Sequence, residues 1–302
     1  MAELTPMMKQ YFEIKNKNKD YILFYRLGDF YEMFFDDAKL VSRELELTLT
    51  GRDCGLEERA PMCGVPYHSA EGYIAKLVRK GYKIAICEQM EDPKLAKGLV
   101  KREIIRRVTP GTVVEASMLD ENRNNFLGCV FAVQGGIGVC FADITTGEVY
   151  ATGSDNWQDI ASELGRFAPR EVLVGGTAAT AESFHSFLKE RLEALIEPMP
   201  EECFDPQRAA ARVMQHFCIE DFDAAGLTDL PQTVQCLGGL LDYLGETQQA
   251  SLAALNHLQV YHQGQYMELD LIARRNLELC ETMRTQETVS YTHLTLPTKL
   301  EV

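Results

Sequence analysis

The stretch from Tyr25 to Phe35 reads Tyr-Arg-Leu-Gly-Asp-Phe-Tyr-Glu-Met-Phe-Phe. A turn signal, Gly28-Asp29, stands directly before an aromatic cluster that contains one carboxylate, Glu32. An exposed aromatic ring such as Phe30 can slip between stacked bases from a minor groove, and a neighbouring carboxylate can bond the displaced base. Aromatic clusters also build protein interiors. The stretch therefore has two interpretations, a core segment or a base-stacking site.

The residues around this stretch have the patterns of a strand and two helices. Thr5-Pro6 has the form of an N-cap followed by a first-turn proline. Residues 21–27 form a short apolar run, and residues 36–47 have helical periodicity. These patterns predict that Phe30 and Glu32 lie at a junction between a strand and a helix.

Basic residues follow on two further segments. Ser69 is predicted to cap a helix that ends at Lys80, residues 83–87 form a strand, and residues 100–108 form an extended, alternating, basic segment. Clustered basic side chains are typical of phosphate binding, although exposed ones are also ordinary solvated surface. The candidates for contact with a nucleic-acid backbone are Lys76, Arg79, Lys80, Lys101, Arg102, Arg106 and Arg107.

Met62 and Pro66 lie in a predicted loop that is punctuated by glycine and proline. Apolar side chains of this kind can line a minor groove, but core or turn roles are the alternative. Tyr31, between Phe30 and Glu32, is predicted to be a core residue.

The charge of the chain is unevenly distributed. The 302 residues carry a formal net charge of -15. Residues 1–110 hold 19 lysine and arginine against 17 aspartate and glutamate residues, whereas residues 111–302 hold 11 against 28. A surface that binds nucleic acid is therefore expected in the first third of the chain.

The nine cysteines have irregular spacings that give neither a disulfide framework nor a zinc motif. They are interpreted as reduced thiols in a cytosolic protein, with Cys63, Cys87, Cys129 and Cys140 as small core residues. No metal site is predicted. The sequence has neither a secretion signal nor an apolar run long enough to span a bilayer.

The composition changes between residues 109 and 122, where we place a boundary. Beyond it, three strands at 126–133, 137–144 and 148–151 predict an antiparallel meander. A helix over 157–167, a strand over 171–174 and a helix over 181–196 follow, which together predict an α/β unit. Residues 207–256 are expected to be mostly helical, residues 260–267 extended and residues 269–283 helical.

Four stretches resemble, in order, the bacterial MutS family of mismatch-recognition proteins. They are residues 5–34, Pro61-Met62-Cys63-Gly64-Val65-Pro66-Tyr67-His68, Ala85-Ile86-Cys87-Glu88-Gln89 and Arg107-Val108-Thr109-Pro110-Gly111-Thr112. The likeness returns at residues 273–279 and covers about residues 1–285. From Val289 the sequence instead resembles a translated sequencing adapter, so residues 286–302 are expected to be non-native.

The resemblance implies an α/β fold and a domain plan. The expected domains are a mixed-sheet mismatch-recognition domain (1–110), a linker (111–123), a ribonuclease-H-like connector (124–250), the start of a helical lever (251–285) and the non-native tail. Phe30 is implied as the ring that stacks on a mispaired base, and Glu32 as the carboxylate that bonds it. The implied partners are mismatched double-stranded DNA, a second copy of the protein and MutL, in the cytoplasm at the nucleoid.

Catalysis is not expected of this chain. ATP and Mg²⁺ belong to the ATPase domain of the family, and the phosphate-loop pattern Gly-x-x-x-x-Gly-Lys-Ser/Thr is absent from the 302 residues. Asp143 and Glu148 flank a turn, but the first strand of the second domain carries no acid of the kind a two-metal nuclease needs. The remaining alternative is an interaction module in which the acidic second domain docks partner proteins.

Overall fold

The computed structural model describes residues 4–91, 98–119, 123–248 and 252–262, together with residues 273, 276 and 277. The chain divides into two compact units. The first unit comprises Met1–Leu119, Ile144–Gly147 and Leu241–Leu255, and the second comprises Asp120–Asp143, Glu148–Leu240 and Asn256–Val302.

The first unit is built on a six-stranded mixed sheet in the order β3-β4-β2-β1-β5-β6. Strands β1 and β5 are parallel, and the other neighbours are antiparallel. Its elements are α1 (Pro6–Asn16), β1 (Ile22–Leu27), β2 (Phe30–Phe34), α2 (Phe35–Leu45), β3 (Thr50–Arg52), β4 (Ala60–Pro66), α3 (Ala70–Arg79), β5 (Ile84–Gln89) and β6 (Arg102–Val108).

Helix α1 covers part of one face of this sheet. The Thr5 hydroxyl accepts a hydrogen bond from the Met8 backbone N–H, as the N-cap prediction requires. Met8 and Tyr11 are buried in one cluster with Tyr25 and Phe34 of the sheet. This face of α1 is therefore a packing surface.

Helices α2 and α3 cover the opposite face. Val41 of α2 and Leu77 of α3 share a core cluster with Phe24, Tyr31 and Met33. Successive residues of a strand point to opposite faces of the sheet. The side chains of β2 therefore alternate between the face that α1 covers and the face that α2 and α3 cover.

Three local predictions for the first unit are corrected. Phe30 and Glu32 lie within strand β2 rather than at a bare strand-to-helix junction, because Gly28-Asp29 turns the chain into a hairpin. The segment of Met62 and Pro66 is strand β4 rather than a loop, since it gains partners on both sides. Ser69 precedes α3 but makes no capping bond, and its hydroxyl donates to the Pro66 carbonyl.

The second unit has a mixed sheet in the order β11-β10-β7-β8-β9-β12. The predicted antiparallel meander is confirmed as β7, β8 and β9. The elements are β7 (Phe126–Val133), β8 (Gly136–Asp143), β9 (Glu148–Ser154), α4 (Trp157–Phe167), β10 (Glu171–Gly176), α5 (Glu182–Arg191), β11 (Leu195–Pro198), α6 (Pro206–Phe217), α7 (Pro231–Thr247) and β12 (His257–Val260). The residues of α7 from Leu241 onward belong to the first unit.

Two elements of this unit differ from the prediction. Helix α5 ends at Arg191, and Leu195–Pro198 forms β11 as a parallel neighbour of β10. The strand His257–Val260 pairs with β9, although this segment was assigned to the start of a helical lever. Both short strands depend on a distant partner, which local periodicity cannot reveal.

The predicted helix over 269–283 and the predicted non-native tail lie almost wholly outside the described residues. Within the described part of the chain, no helix combines the length and apolar character needed to cross a membrane.

Candidate nucleic-acid interface

The β1–β2 hairpin presents Phe30 at the surface of the first unit. Gly28 has a φ of 58°, a left-handed value that glycine adopts at the first position of a tight two-residue hairpin. Phe30 pairs with Leu27 across the hairpin and with Pro66 of β4. Its side chain is 46% exposed, in contrast to the buried Tyr31 and Phe34. The structure thus separates one exposed ring from the aromatic core.

Phe30 and Glu32 are two residues apart on β2, so their side chains lie on the same face of the sheet. Tyr31 points to the other face, into the core with Phe24, as predicted. Burial and the Glu88 carboxylate raise the pKa of Tyr31, so its hydroxyl remains a proton donor to Glu88.

Gly64 of β4 lies directly opposite Glu32. A Cβ at this position would be 3.4 Å from Glu32 Cγ, 3.8 Å from Phe30 Cδ1 and 3.3 Å from the Tyr31 carbonyl oxygen. The glycine therefore leaves the space beside Phe30 and Glu32 free of a further side chain.

The carboxylate of Glu32 is held by an ion pair. The Arg52 Nη1 donates to Glu32 Oε2, and the side chains are 36% and 14% exposed respectively. Arg52 belongs to β3, the edge strand, so its side chain extends over β4 to reach β2. The negative charge beside Phe30 is therefore compensated within the unit.

A second cation lies close to the hairpin turn. The Arg26 guanidinium is 3.7 Å from the centroid of the Tyr67 ring and donates from Nε to the Gly28 carbonyl at 2.5 Å. The Tyr67 backbone N–H donates to the Asp29 carbonyl at 3.0 Å. Together these contacts tie the turn that carries Phe30 to the end of β4.

Met62 and Pro66 share the face of Phe30 and Glu32, because they pair with Phe34 and Phe30. Both are partly exposed. Met62 packs against the cluster under α1, whereas Pro66 is directly beside Phe30. Of the two, Pro66 is the better placed beside the exposed ring.

The basic residues of α3 are not brought together with Phe30. Lys76, Arg79 and Lys80 are exposed on the helix that covers the opposite face of the sheet. Arg79 donates to the Ser117 carbonyl at 3.3 Å, and Lys80 forms an ion pair of 2.9 Å with Glu44.

The structure corrects the prediction for Arg102. This side chain is 7% exposed and donates to Gln10 Oε1, the Arg26 carbonyl and the Val100 carbonyl. Its guanidinium carbon lies 5.0 Å from the centroid of the Tyr25 ring. A phosphate contact would break these buried bonds, so Arg102 is a structural residue of the first unit.

The other basic residues of this segment also have partners. Arg106 forms a two-pronged ion pair with Glu115, and Arg107 donates to Asn18 Oδ1 at 3.0 Å. Lys101 is exposed and lies 2.5 Å from a Glu103 carboxylate oxygen. Exposed pairs of this kind exchange readily with solvent ions, whereas the half-buried pair of Arg106 costs more to break.

Sequence reasoning missed Arg26 and Arg52. Neither belongs to a basic cluster, and their proximity to Phe30 and Glu32 depends on the pairing of β1, β2, β3 and β4. The only local signal was a basic residue on each of two short segments, which is too common to single them out.

The described chain thus consists of two α/β units, and the first presents an exposed aromatic ring beside a carboxylate. The family model described as MutS domain I matches residues 5–117, and the model described as MutS domain II matches residues 125–259. The chain belongs to the MutS family and carries these two domains.

Curated relatives named DNA mismatch repair protein MutS match nearly all of the chain. The protein of Acetivibrio thermocellus is 49% identical over 292 residues, which cover 94% of this chain and 33% of the relative. That of Lachnoclostridium phytofermentans is 49% identical over 292 residues, which cover 95% and 31%. The chain spans about a third of the length of these relatives.

Proposed function

We propose that the first unit binds mismatched double-stranded DNA in DNA mismatch repair. Phe30 enters the minor groove and stacks on a mispaired base, and Glu32 accepts a hydrogen bond from that base. The observation that supports this proposal is the exposed Phe30 ring beside a carboxylate on strand β2 of a MutS domain I. The process is that of the relatives, which are named DNA mismatch repair protein MutS.

The energetics of a mismatch suit an aromatic wedge. A mispaired step stacks and pairs poorly, so kinking the duplex there costs less than at a matched step. Stacking of a base on an aromatic ring contributes roughly 1–3 kcal/mol. The lower deformation cost leaves more of this energy as net affinity, which produces a preference for the mismatch.

The pair of Glu32 and Arg52 sets the conditions under which the carboxylate acts. A carboxylate near phosphates is repelled unless a cation or a hydrogen-bond donor compensates it. Arg52 supplies the cation in the free protein, and an unpaired base supplies a donor in the complex. Arg52 is then released to a nearby phosphate, for which its guanidinium is well suited.

The remaining candidates act by position and charge. Pro66 and Met62 contact the groove next to Phe30, because they share its face of the sheet. Lys76, Arg79, Lys80, Lys101, Arg106 and Arg107 are candidates for phosphate contacts, which contribute affinity without sequence information.

The proposal also covers the longer MutS protein of which these two domains would form part. A longer MutS protein would form a homodimer, recruit MutL and use ATP and Mg²⁺ through an ATPase portion that these two domains do not include. The proposed location is the cytoplasm, at the nucleoid. Phe30 and Glu32 would read the mismatch for the complete assembly.

A low-salt fluorescence anisotropy titration of the 302-residue chain tests the proposal. The ligands are a matched duplex and the same duplex with one G·T mismatch. We expect weak binding that falls steeply with salt and favours the mismatched duplex modestly. Equal affinities at every salt concentration would contradict mismatch reading by this chain.

The second candidate function is an interaction module with non-specific DNA binding. It is favoured by the charge of residues 111–302, which hold 11 basic against 28 acidic residues. A nuclease is disfavoured, since the Asp143 carboxylate is fully buried and accepts the Asn125 backbone N–H. Salt-sensitive binding without mismatch preference is the result expected of the interaction module.

A further inference from the structure

Three cysteines meet in the interior of the second unit, although they are far apart in the sequence. Cys129 lies on β7, Cys140 on β8 and Cys236 on α7, and all three are fully buried. Their Sγ atoms lie within 4.8 Å of one another, and the Cys140 and Cys236 sulfurs are 3.5 Å apart. The cluster belongs to the second unit, whereas the proposed DNA-binding residues belong to the first.

The fold brings these thiols together through one close approach. Cys129 and Cys140 are paired across β7 and β8. Gly138, two residues before Cys140 on the same face, lets the backbone of α7 approach, because a Cβ there would be 2.3 Å from the Gln232 carbonyl oxygen. Cys236 follows Gln232 by one helical turn and therefore lies over Cys140.

We propose that Cys129, Cys140 and Cys236 form a three-sulfur site for a soft monovalent metal ion, Cu(I). A metal–sulfur distance of about 2.3 Å, as in zinc thiolates, places the sulfurs of a planar three-coordinate ion about 4 Å apart. The Cys140 and Cys236 sulfurs are 3.5 Å apart, and no separation among the three sulfurs exceeds 4.8 Å, so both figures are compatible with this geometry. Only small side-chain adjustments are needed to close the ring around an ion.

The donor set selects the metal. Thiolates favour soft ions such as Cu(I), whereas a structural zinc ion is almost always held by four ligands. Within the described residues, no histidine or carboxylate joins the three sulfurs as a fourth donor. A three-coordinate soft cation therefore fits this cluster better than zinc.

Proton release accompanies ligation. Burial raises the pKa of the Cys129 and Cys140 thiols well above the usual value. Burial also opposes ionisation of Cys236, but hydrogen bonds from the other two thiols and from backbone N–H groups outweigh it and lower its pKa. Each sulfur that binds the ion releases its proton to solvent, so metal affinity falls with decreasing pH.

Binding in the folded protein should also stabilise it. The ion would link β7, β8 and α7 through the core, and a ligand that binds only the native state raises the melting temperature. An ion that bound the thiols of the unfolded chain would lower the melting temperature instead. The sign of the shift therefore distinguishes a native site from adventitious capture.

The test is an anaerobic titration of the full, reduced 302-residue chain with Cu(I), in competition with the chelator bicinchoninate at neutral pH. We expect one tight Cu(I) per chain and a higher melting temperature. Loss of a residue that hydrogen-bonds to a metal ligand typically lowers metal affinity about 10–100-fold. Loss of a ligand itself should cost at least as much, so Cys140→Ser or Cys236→Ser should weaken binding by about a hundredfold or more.

Matched controls identify the sulfurs involved. Cys218 is exposed and is not one of the clustered sulfurs, so Cys218→Ser should retain the tight site. Cys280, the ninth cysteine, lies outside the described residues, and Cys280→Ser should retain the site as well. Undiminished binding by folded Cys140→Ser and Cys236→Ser, or loss in either control, would overturn the assignment.

A spectroscopic measurement on the unmodified chain covers the case in which a cluster variant does not fold. X-ray absorption at the copper edge should show three sulfur ligands at one short distance. Two sulfur ligands, or nitrogen and oxygen ligands, would overturn the three-sulfur site, as would a melting temperature lowered by Cu(I).

Discussion

Arg52, on the edge strand β3, forms an ion pair with Glu32, on β2, by extending over the intervening strand β4. The β4 residue opposite Glu32 is Gly64, which has no side chain to obstruct the pair. Both partners keep part of their surface in solvent, with 36% exposure for Arg52 and 14% for Glu32. The pair is therefore accessible to exchange when a polyanion binds beside it.

Substitution of Glu32 by Gln should tighten binding to matched duplex. The change removes a negative charge near phosphates, which is worth about 1 kcal/mol at 4 Å in water, or roughly fivefold in Kd. The measurement is anisotropy with matched duplex at low salt. Glu46→Gln, on the helix layer of the opposite face, is the control that makes the same charge change. Weaker binding by Glu32→Gln would contradict the role of the carboxylate.

Arg52→Met should weaken binding to both duplexes, because it leaves Glu32 uncompensated and removes a phosphate partner. The loss should be smaller when Glu32→Gln is combined with it, since the repulsive charge is then absent and only the lost phosphate contact remains. A double-mutant cycle on Kd measures this coupling. Strictly additive effects of the two substitutions would contradict the exchange of Arg52 between Glu32 and DNA.

Arg102→Met should destabilise the chain by about 3 kcal/mol. The substitution keeps most of the volume but removes the buried hydrogen bonds that Gln10 Oε1 and two backbone carbonyls accept from Arg102. Chemical denaturation measures the loss. Lys101→Met, on the neighbouring exposed residue, should stay within about 0.5 kcal/mol of the parent. Equal stability of both variants would show that Arg102 is not structural.

Gly138→Ala should destabilise the second unit by about 2 kcal/mol or more, because the new methyl group meets the backbone of α7 at Gln232. Gly72→Ala is the matched control. A Cβ at Gly72, within α3, has no neighbour within 4 Å, so alanine there should stabilise by roughly 0.5–1 kcal/mol. Thermal unfolding of the two variants should shift in opposite directions.

The sequence predicted those elements that are stabilised by residues close together in the chain. The Thr5 cap of α1 and the meander β7–β9 are confirmed, since capping residues, turn glycines and periodicity lie within a few residues of each other. Strands β4, β11 and β12 were not predicted, because a short strand is stabilised by hydrogen bonds to a partner elsewhere in the chain.

The residues of the candidate site likewise divide into those predictable from nearby sequence and those that depend on distant partners. The exposed Phe30 and the buried Tyr31 follow from alternation once β2 is known to be a strand. The burial of Arg102, the pair of Arg52 with Glu32 and the meeting of Cys129, Cys140 and Cys236 follow from sheet register and helix packing. No spacing in the sequence encodes these contacts, since their partners are separated by up to about a hundred residues.

The central claim is that Phe30 reads the mismatch. Its most direct test is the ratio of Kd for matched duplex to Kd for the same duplex with one G·T mismatch, in the parent chain and in Phe30→Ala. Phe30 is 46% exposed, so the substitution should leave stability nearly unchanged. Leu56→Ala, at another residue of 46% exposure, is the control for the loss of exposed apolar surface.

We expect a ratio above one in the parent chain and in Leu56→Ala, and a ratio near one in Phe30→Ala. The lost stacking of roughly 1 kcal/mol or more corresponds to about fivefold in the affinity for mismatched duplex. A mismatch preference that is the same in Phe30→Ala as in the parent chain would contradict the account.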